Sequence, residues 1–394
     1  MVSALIPPVV LESAELTALR YEVRQFLVEQ ISAGAFVPHV DTWLTRTDRA
    51  FTLELARRGL LGMVVPTEYG GGGRTFLERF VVTEELLAAG APVAGHWIAD
   101  RQIAPSLLKY GTEEQKLAFL PGICRGEIFF GIGMSEPDSG SDLASVRTRA
   151  EQVEGGWRLS GTKVWTSGAH HADGFFALAR SAPLDPPPAT TPSLPGVPPL
   201  DRHDGLSQFI VDLHDPAVTI RPIVSMGGGH HFNEVHLDGV FVPDSRVLGR
   251  VGDGWKQVTS ELGFERSGPE RFLSTWRLLQ AVAARAGTQT LPATPELGAL
   301  VARTAALHQM SLAVSTALEA RAPADTAAAV VKVLGTAHEG DIAEFADHLL
   351  ASGEADDELQ VLLDTALLQR PGFTLRGGTN EILHGVIARG LGLR

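Results

Sequence analysis

The chain has 394 residues, too many for one typical core, so two or three domains are expected. Its 44% hydrophobic and 20% charged residues are ordinary for a folded globular protein and exclude global disorder. A formal net charge of −13 argues against a nucleic-acid partner, which calls for a basic face.

The opening MVSALIPPVVLE has no positive n-region and carries two prolines inside its apolar run, so it does not read as a secretory signal. No apolar run approaches the roughly 18–20 residues of a membrane span, and a soluble, cytoplasmic protein is expected. Helical spacing begins with Leu16, Leu19, Val23, Phe26 and Leu27 on one face, while Glu12, Glu15, Arg20 and Arg24 lie elsewhere. The Gly-rich break YGGGGRT at 69–75 lacks GxxxxGK[ST] and a preceding strand, so it reads as a turn rather than a phosphate cradle. A second helical run follows through Phe76, Phe80 and Leu87, and Thr112 with Gln115 forms a capping box ahead of EEQKLAFL. Cys124, the single cysteine, excludes an intrachain disulfide, fits a reducing compartment and reads as a small buried hydrophobe.

From about Phe129 the period changes. Short β-branched and aromatic segments appear at Phe129–Met134, Trp157–Leu159, Phe175–Ala179, Gln208–Leu213, Val218–Pro222 and Glu234–Leu237, which predicts an antiparallel barrel or sandwich. The proline density of SAPLDPPPATTPSLPGVPPLDRHDG cannot enter a sheet interior, so this segment is expected to be an exposed, extended or mobile loop. Helical spacing returns near Trp255 and continues through the Ala-rich 325–350 segment, as in a bundle. No 20–50-residue repeat occurs, and the absence of GxGxxG after a strand counts against a Rossmann domain.

The stretch Gly131–Gly168 concentrates the groups that could hold a planar, hydrogen-bonding cofactor: Gly/Ser turns, the hydroxyls of Ser135, Ser141, Thr166 and Ser167, and the flat face of Trp165. MSEPDSGSD followed by GTKVWTSG resembles the flavin-binding signature of the acyl-CoA dehydrogenase family. The resemblance covers nearly the whole chain in order: VPTEYGGGG, LKYGTEEQKLAFLP, GLSQFIVDL, MGGGHHFNEVHLDGVFVPDSRVLG, GDGWKQ and LRGGTNEILHGVIAR. It implies an α+β protein with a helical N-terminal domain (1–127), a middle antiparallel β-barrel or sandwich domain (128–248) and a C-terminal four-helix bundle (249–394). It also implies FAD wedged between the β-domain and the bundle, and a dimeric or tetrameric homo-oligomer.

By position, the resemblance lays Met134 and Ser135 along the flavin ring, packs Trp165 on it and brings Ser167 near its N5. It places Gly140 and Ser141 at the FAD phosphates and thioester ligand, and Thr379 and Glu381 at the phosphate and adenosine end. Many relatives carry a catalytic glutamate just before a Gly-Thr pair, where this chain has Gly377, which cannot be a base but still offers a backbone N–H to the thioester carbonyl. In a smaller group the glutamate precedes an arginine on the first long helix of the bundle. Ungapped counting from Gly254-Trp255 gives Glu265, followed by Arg266 as a substrate contact. Glu270-Arg271 repeats the dipeptide and is the alternative. Abstraction of the α-proton needs such a carboxylate in a dry site, where desolvation raises its pKa, and the N–H serves as an oxyanion donor.

Two family features are missing. The usual Arg-x-x-Phe-Gly is replaced by RAGTQTLPATPELG from Arg285, and the glycine-rich turn that reaches FAD across a dimer by ASGEADDE at 351–358. His230, His231, His203 and His214 fit no zinc pattern, and His230–Asn233, with Phe232, is placed on the acyl or pantetheine channel. The expected activity is oxidation of an acyl-CoA to the trans-2-enoyl-CoA, with an electron-transfer flavoprotein receiving the electrons. The alternatives are a flavin oxidase or monooxygenase on the same fold, and a non-catalytic or half-site subunit of a heteromer.

Overall fold

The computed structural model of the chain describes residues 12–182, 202–266, 268–288, 290–351 and 356–393, the side chains of 261–265 excepted. The core of the Pro-rich segment, 183–201, and residues 352–355 of ASGEADDE lie outside the described residues, as does the opening 1–11.

Helices come first: α1 Ala14–Ser32, α2 Thr42–Thr45, α3 Arg49–Arg57, α4 Phe76–Ala88, α5 Ala94–Ile98, α6 Ala104–Tyr110 and α7 Glu113–Cys124. Their starts have local causes. Ser13, Asp48, Thr75 and Thr112 each accept a backbone N–H three residues on, and Thr75–Glu78 and Thr112–Gln115 complete capping boxes. The Thr112 box is the one that the sequence predicts. Cys124 is buried, and burial pushes its thiol up to about 12, so it is an inert packing residue.

The strands are β1 Phe130–Gly133, β2 Arg149–Val153, β3 Gly156–Ser167, β4 Gly174–Arg180, β5 Leu206–Asp212, β6 Val218–Ile223 and β7 Phe232–Pro243. They form one seven-stranded sheet in the order β1-β4-β2-β3-β7-β6, with β5 also on β4. Pairing is antiparallel for β2–β3, β3–β7, β4–β5 and β6–β7, and parallel for β1–β4 and the single Arg149↔Arg180 contact of β2 with β4. The parallel pairing is possible because a long excursion through β2 and β3 separates β1 from β4. Phe175, Ala177, Phe209, Val211, Val235, Leu237 and Leu159 fill the core on one face of this sheet.

The chain then returns to helix: α8 Gly254–Glu265, α9 Trp276–Gly287, α10 Pro295–Glu319, α11 Asp325–Leu350, α12 Asp357–Phe373 and α13 Asn380–Gly390. Leu278, Val282, Leu300, Ile342, Ala346, Leu362 and Ala366 interlock α9 through α12. The small Ala343 and Ala346 faces let α11 approach its neighbours closely. Two compact units result: Met1–Thr67 with Gly71–Ala94 and Leu262–Arg394, and Glu68–Gly70 with Gly95–Glu261. Among the described residues no helix is long and apolar enough to cross a membrane.

Candidate flavin and thioester site

The residues that the sequence singles out divide between these two units. Met134, Ser135, Gly140, Ser141, Trp165, Ser167 and Phe232 belong to the strand-bearing unit. Arg266, Gly377, Thr379 and Glu381 belong to the helical one.

In the strand-bearing unit the decisive feature is a bulge in β3. Lys163 opposes Val235 on β7 and Thr166 opposes Asn233, so Val164 and Trp165 together face Glu234. Trp165 takes the left-handed region, φ +60°, a costly conformation for a bulky residue at roughly 1–3 kcal/mol. Val164 is thereby turned inward, its N–H donating to the Ser135 carbonyl at 2.9 Å. Trp165 is turned outward and 58% exposed, edge-on to Phe232 with ring centroids 5.6 Å apart. Phe232 itself lies opposite Ser167 in the ladder.

Beneath this shelf lies an ion pair. The Lys163 ammonium, fully buried, donates to Glu136 Oε1 at 2.8 Å and to the Met134 carbonyl at 3.0 Å. Glu136 also accepts the Arg147 and Thr148 backbone N–H groups at 2.6 and 2.8 Å. Burial pushes Lys163 down to about 8 against the pull of Glu136. Burial also opposes ionisation of Glu136, but Lys163 and the N–H donors outweigh it and hold the carboxyl below the ordinary range. The pair is therefore ionised at neutral pH, and it fixes Met134 and Ser135 beside Trp165. Gly140 and Ser141 sit exposed in the following turn, closed by Ser139 Oγ donating to the Asp142 carbonyl at 2.9 Å.

These residues fit a flavin. The hydroxyls of Ser135 and Ser167 make no hydrogen bond among the described residues, and the buried Thr166 Oγ1 has no partner there either. An exposed aromatic face bordered by such polar atoms suits a planar ring with donors and acceptors on its edge.

In the helical unit, Gly377 and Gly378 adopt φ +68° and +87° in the turn between α12 and α13. The turn is closed by Asn380 N–H on the Thr374 carbonyl at 3.1 Å and by buried Lys332, which bonds the same carbonyl and Asn380 Oδ1, both at 2.8 Å. Arg266 Nε donates to the Gly377 carbonyl at 3.1 Å. A Cβ on Gly377 would come within 2.9 Å of Arg271 Nη2 and 3.1 Å of its Cζ. The Gly377 N–H itself donates to nothing among the described residues. Thr379 caps α13 by accepting the Ile382 N–H at 3.3 Å, and Glu381 is exposed in its first turn.

Glu265 is the last residue of α8, and its side chain lies outside the described ones. Glu270 is 3% exposed and folded back on its own turn, where a Cβ on Gly268 would collide with its carboxylate at 2.0 Å. Sequence reading missed a third carboxylate, Glu339, which burial holds up at about 7 despite the attraction of Arg376. Its acidity suits a base, but it is 1% exposed and its Oε1 accepts the Ser274 N–H at 2.7 Å. Glu136 and Lys163 were also passed over, although both stand inside the quoted motifs. A lysine within GTKVWTSG, between Thr162 and Val164, was the available signal.

The histidines are dispersed. His203 stacks near Trp255 at 4.2 Å, His214 lies 3.4 Å from Asp173, and His230 stacks on His170 at 4.2 Å and bonds Asn233. Glu12, Glu84 and His308 bring three ligand atoms together, but Arg20 already bridges the two carboxylates.

Comparison with known proteins gives the family. Residues 13–127 match the acyl-CoA dehydrogenase N-terminal domain and residues 131–240 the acyl-CoA dehydrogenase middle domain. The chain is 32% identical over 386 residues to acyl-CoA dehydrogenase FadE29 of Mycobacterium tuberculosis, covering 94% of each protein. Among solved structures, it is similar to the Tcur3481-Tcur3483 steroid ACAD, with a TM-score of 0.82 and 29% identity over 98% of this chain and 99% of that one. The ChsE4-ChsE5 complex from Mycobacterium tuberculosis gives a TM-score of 0.77 and 26% identity over 98% and 99%. The chain belongs to the acyl-CoA dehydrogenase family, an oxidoreductase family whose members are FAD-dependent flavoproteins.

Proposed function

We propose that the chain oxidises an acyl-CoA thioester to the trans-2-enoyl-CoA, with Glu265 as the base and Gly377 as the carbonyl-binding residue. The observation that carries this reading is the Gly377 N–H, which has no partner among the described residues and stands on a turn that Arg266 grips by its carbonyl. Glu270 is 3% exposed with its carboxylate folded onto Gly268, which favours Glu265 as the base. Glu265 takes the α-proton, and the Gly377 N–H steadies the charge that develops on the thioester oxygen. When bound, FAD supplies the acceptor for the hydride that leaves Cβ. Trp165, Met134, Ser135 and Ser167 hold and orient its ring, Gly140 and Ser141 its phosphates, and Thr379 and Glu381 its adenosine end. Ser141, Phe232 and Arg266 contact the substrate. The domain bounds 1–127, 128–248 and 249–394 belong to the same reading, the first two supported by the family matches at 13–127 and 131–240. A cytoplasmic location, an electron-transfer flavoprotein as acceptor and a homo-oligomer belong to the same reading.

Anaerobic addition of a panel of acyl-CoA thioesters to the FAD-loaded protein tests it. Bleaching of the flavin by at least one thioester, abolished in Glu265→Gln and retained in Glu270→Gln, supports the reading. Loss in Glu270→Gln alone would move the base by one dipeptide, and fast reoxidation in air would make the protein an oxidase.

A second reading, as one subunit of a heteromer, is favoured by Arg285. In place of the family's Arg-x-x-Phe-Gly, it is engaged within its own chain by Asp356 and, at 3.6 Å, Glu358. A colourless purified chain that retains flavin only with a second chain would establish that reading.

A further inference from the structure

We propose that Asp41, acting through Arg376, is a positioning residue that orients the Gly377 N–H towards the thioester carbonyl. Asp41 is neither glycine nor exposed, yet it sits in the left-handed region at φ +54° with 1% exposure. Its backbone is fixed from both sides. Its N–H donates to the Ser274 carbonyl at 2.8 Å, and its carbonyl accepts from Leu44 and Thr45 at the start of α2. The side chain then has one direction to take, and its Oδ1 accepts from Arg376 Nη1 at 2.8 Å. Its Oδ2 has no partner among the described residues.

Arg376 is held on its other sides by aromatic rings. Its guanidinium lies 4.9 Å from the centroid of Trp43 and 5.1 Å from that of Phe373. Trp43 is itself fixed by Nε1 donating to Ser274 Oγ at 3.1 Å. This cage ends one peptide bond before Gly377. The peptide unit is planar, so the backbone at Arg376 sets the direction of the Gly377 N–H. Two successive glycines would otherwise leave that direction free. Arg266 holds the carbonyl side of the same residue, and Asp41, the acceptor for Arg376, keeps the other side in place. A buried, strained carboxylate is costly to keep, and strain of this kind collects where geometry must be exact for function.

The inference rests on the acyl-CoA reading above, and the test separates the two. The FAD-loaded protein is mixed anaerobically with an acyl-CoA isotope-labelled at its carbonyl carbon. The carbonyl stretch is read by difference infrared and flavin reduction by stopped flow. In the unaltered protein the stretch moves to lower frequency on binding. In Asp41→Asn, which retains shape and tolerance of the left-handed region, most of that displacement disappears. Reduction slows between about 10- and 100-fold at unchanged FAD content, as expected for a misplaced donor. Arg376→Lys behaves alike, and the double variant is no worse than either single one. Leu350→Ala, in the bundle core, lowers the melting temperature without moving the stretch. A displaced stretch and normal rate in Asp41→Asn or Arg376→Lys, with only the melting temperature reduced, would overturn the inference alone. No displacement and no reduction in the unaltered protein with any thioester would overturn the acyl-CoA reading and the inference with it.

Discussion

The shelf around Trp165 and the turn at Gly377 solve the same problem by opposite means. The shelf is held by its own motif. Lys163 and Glu136 stand within the two strings that read as flavin-binding, and the bulge that exposes Trp165 lies between Lys163 and Thr166. The turn supplies two glycines, and the groups that fix it, Asp41, Trp43, Arg266, Arg271 and Lys332, come from far off in sequence: Lys332 bonds Thr374 across 42 residues and Asp41 bonds Arg376 across 335.

 A local motif can therefore be read as a site, whereas a glycine turn takes its character from what packs round it.

The largest test of this contrast is Lys163→Met. It leaves Glu136 buried without its cation, and the expected loss is about 3–5 kcal/mol of stability in denaturant unfolding. Adding Glu136→Gln should return most of it, because the shelf's electrostatics are self-contained. The turn is tested next through Glu339, whose carboxyl is held at about 7 against an ordinary 4.5. The folded state keeps a proton that the unfolded chain releases between those values, so this group's stabilisation is full below pH 4.5 and lost as pH rises through 7. Glu339→Gln keeps an acceptor for Ser274 and should remove that loss, a difference of about 3 kcal/mol between the two stability profiles. The smallest expected effect is that of Gly377→Glu. At φ +68° with Arg271 at 2.9 Å, the side chain should cost roughly 1–3 kcal/mol. The new carboxylate would pair with Arg271 and stay ionised, so it should not restore flavin reduction to Glu265→Gln. Recovery of reduction in that double variant would show that the turn still accepts a base and would break the contrast.

The same contrast explains what the sequence made legible. The order helices, strands, helices followed from periodicity, and the Thr112 capping box from a local pair. β2 was missed because Arg149–Val153 reads RAEQV, whose Ala, Glu and Gln favour helix, while its strand character comes from pairing with β3. The seam between α5 and α6 was likewise hidden, since the π-helical stretch Ala99–Ile103 has no composition of its own. At the site, Met134, Ser135, Trp165 and Ser167 were reached by resemblance to a contiguous string. Asp41 and Glu339 were not, because their roles depend on tertiary contacts that no spacing in the sequence records.

The outward turn of Trp165 has an optical consequence. Of the chain's six tryptophans, it alone is exposed among the described residues, while Trp43, Trp97 and Trp157 are buried. The red edge of the intrinsic emission should thus belong largely to one indole, which a water-soluble quencher reaches first. Loss of that component on adding a ligand would report occupancy of the shelf without any label.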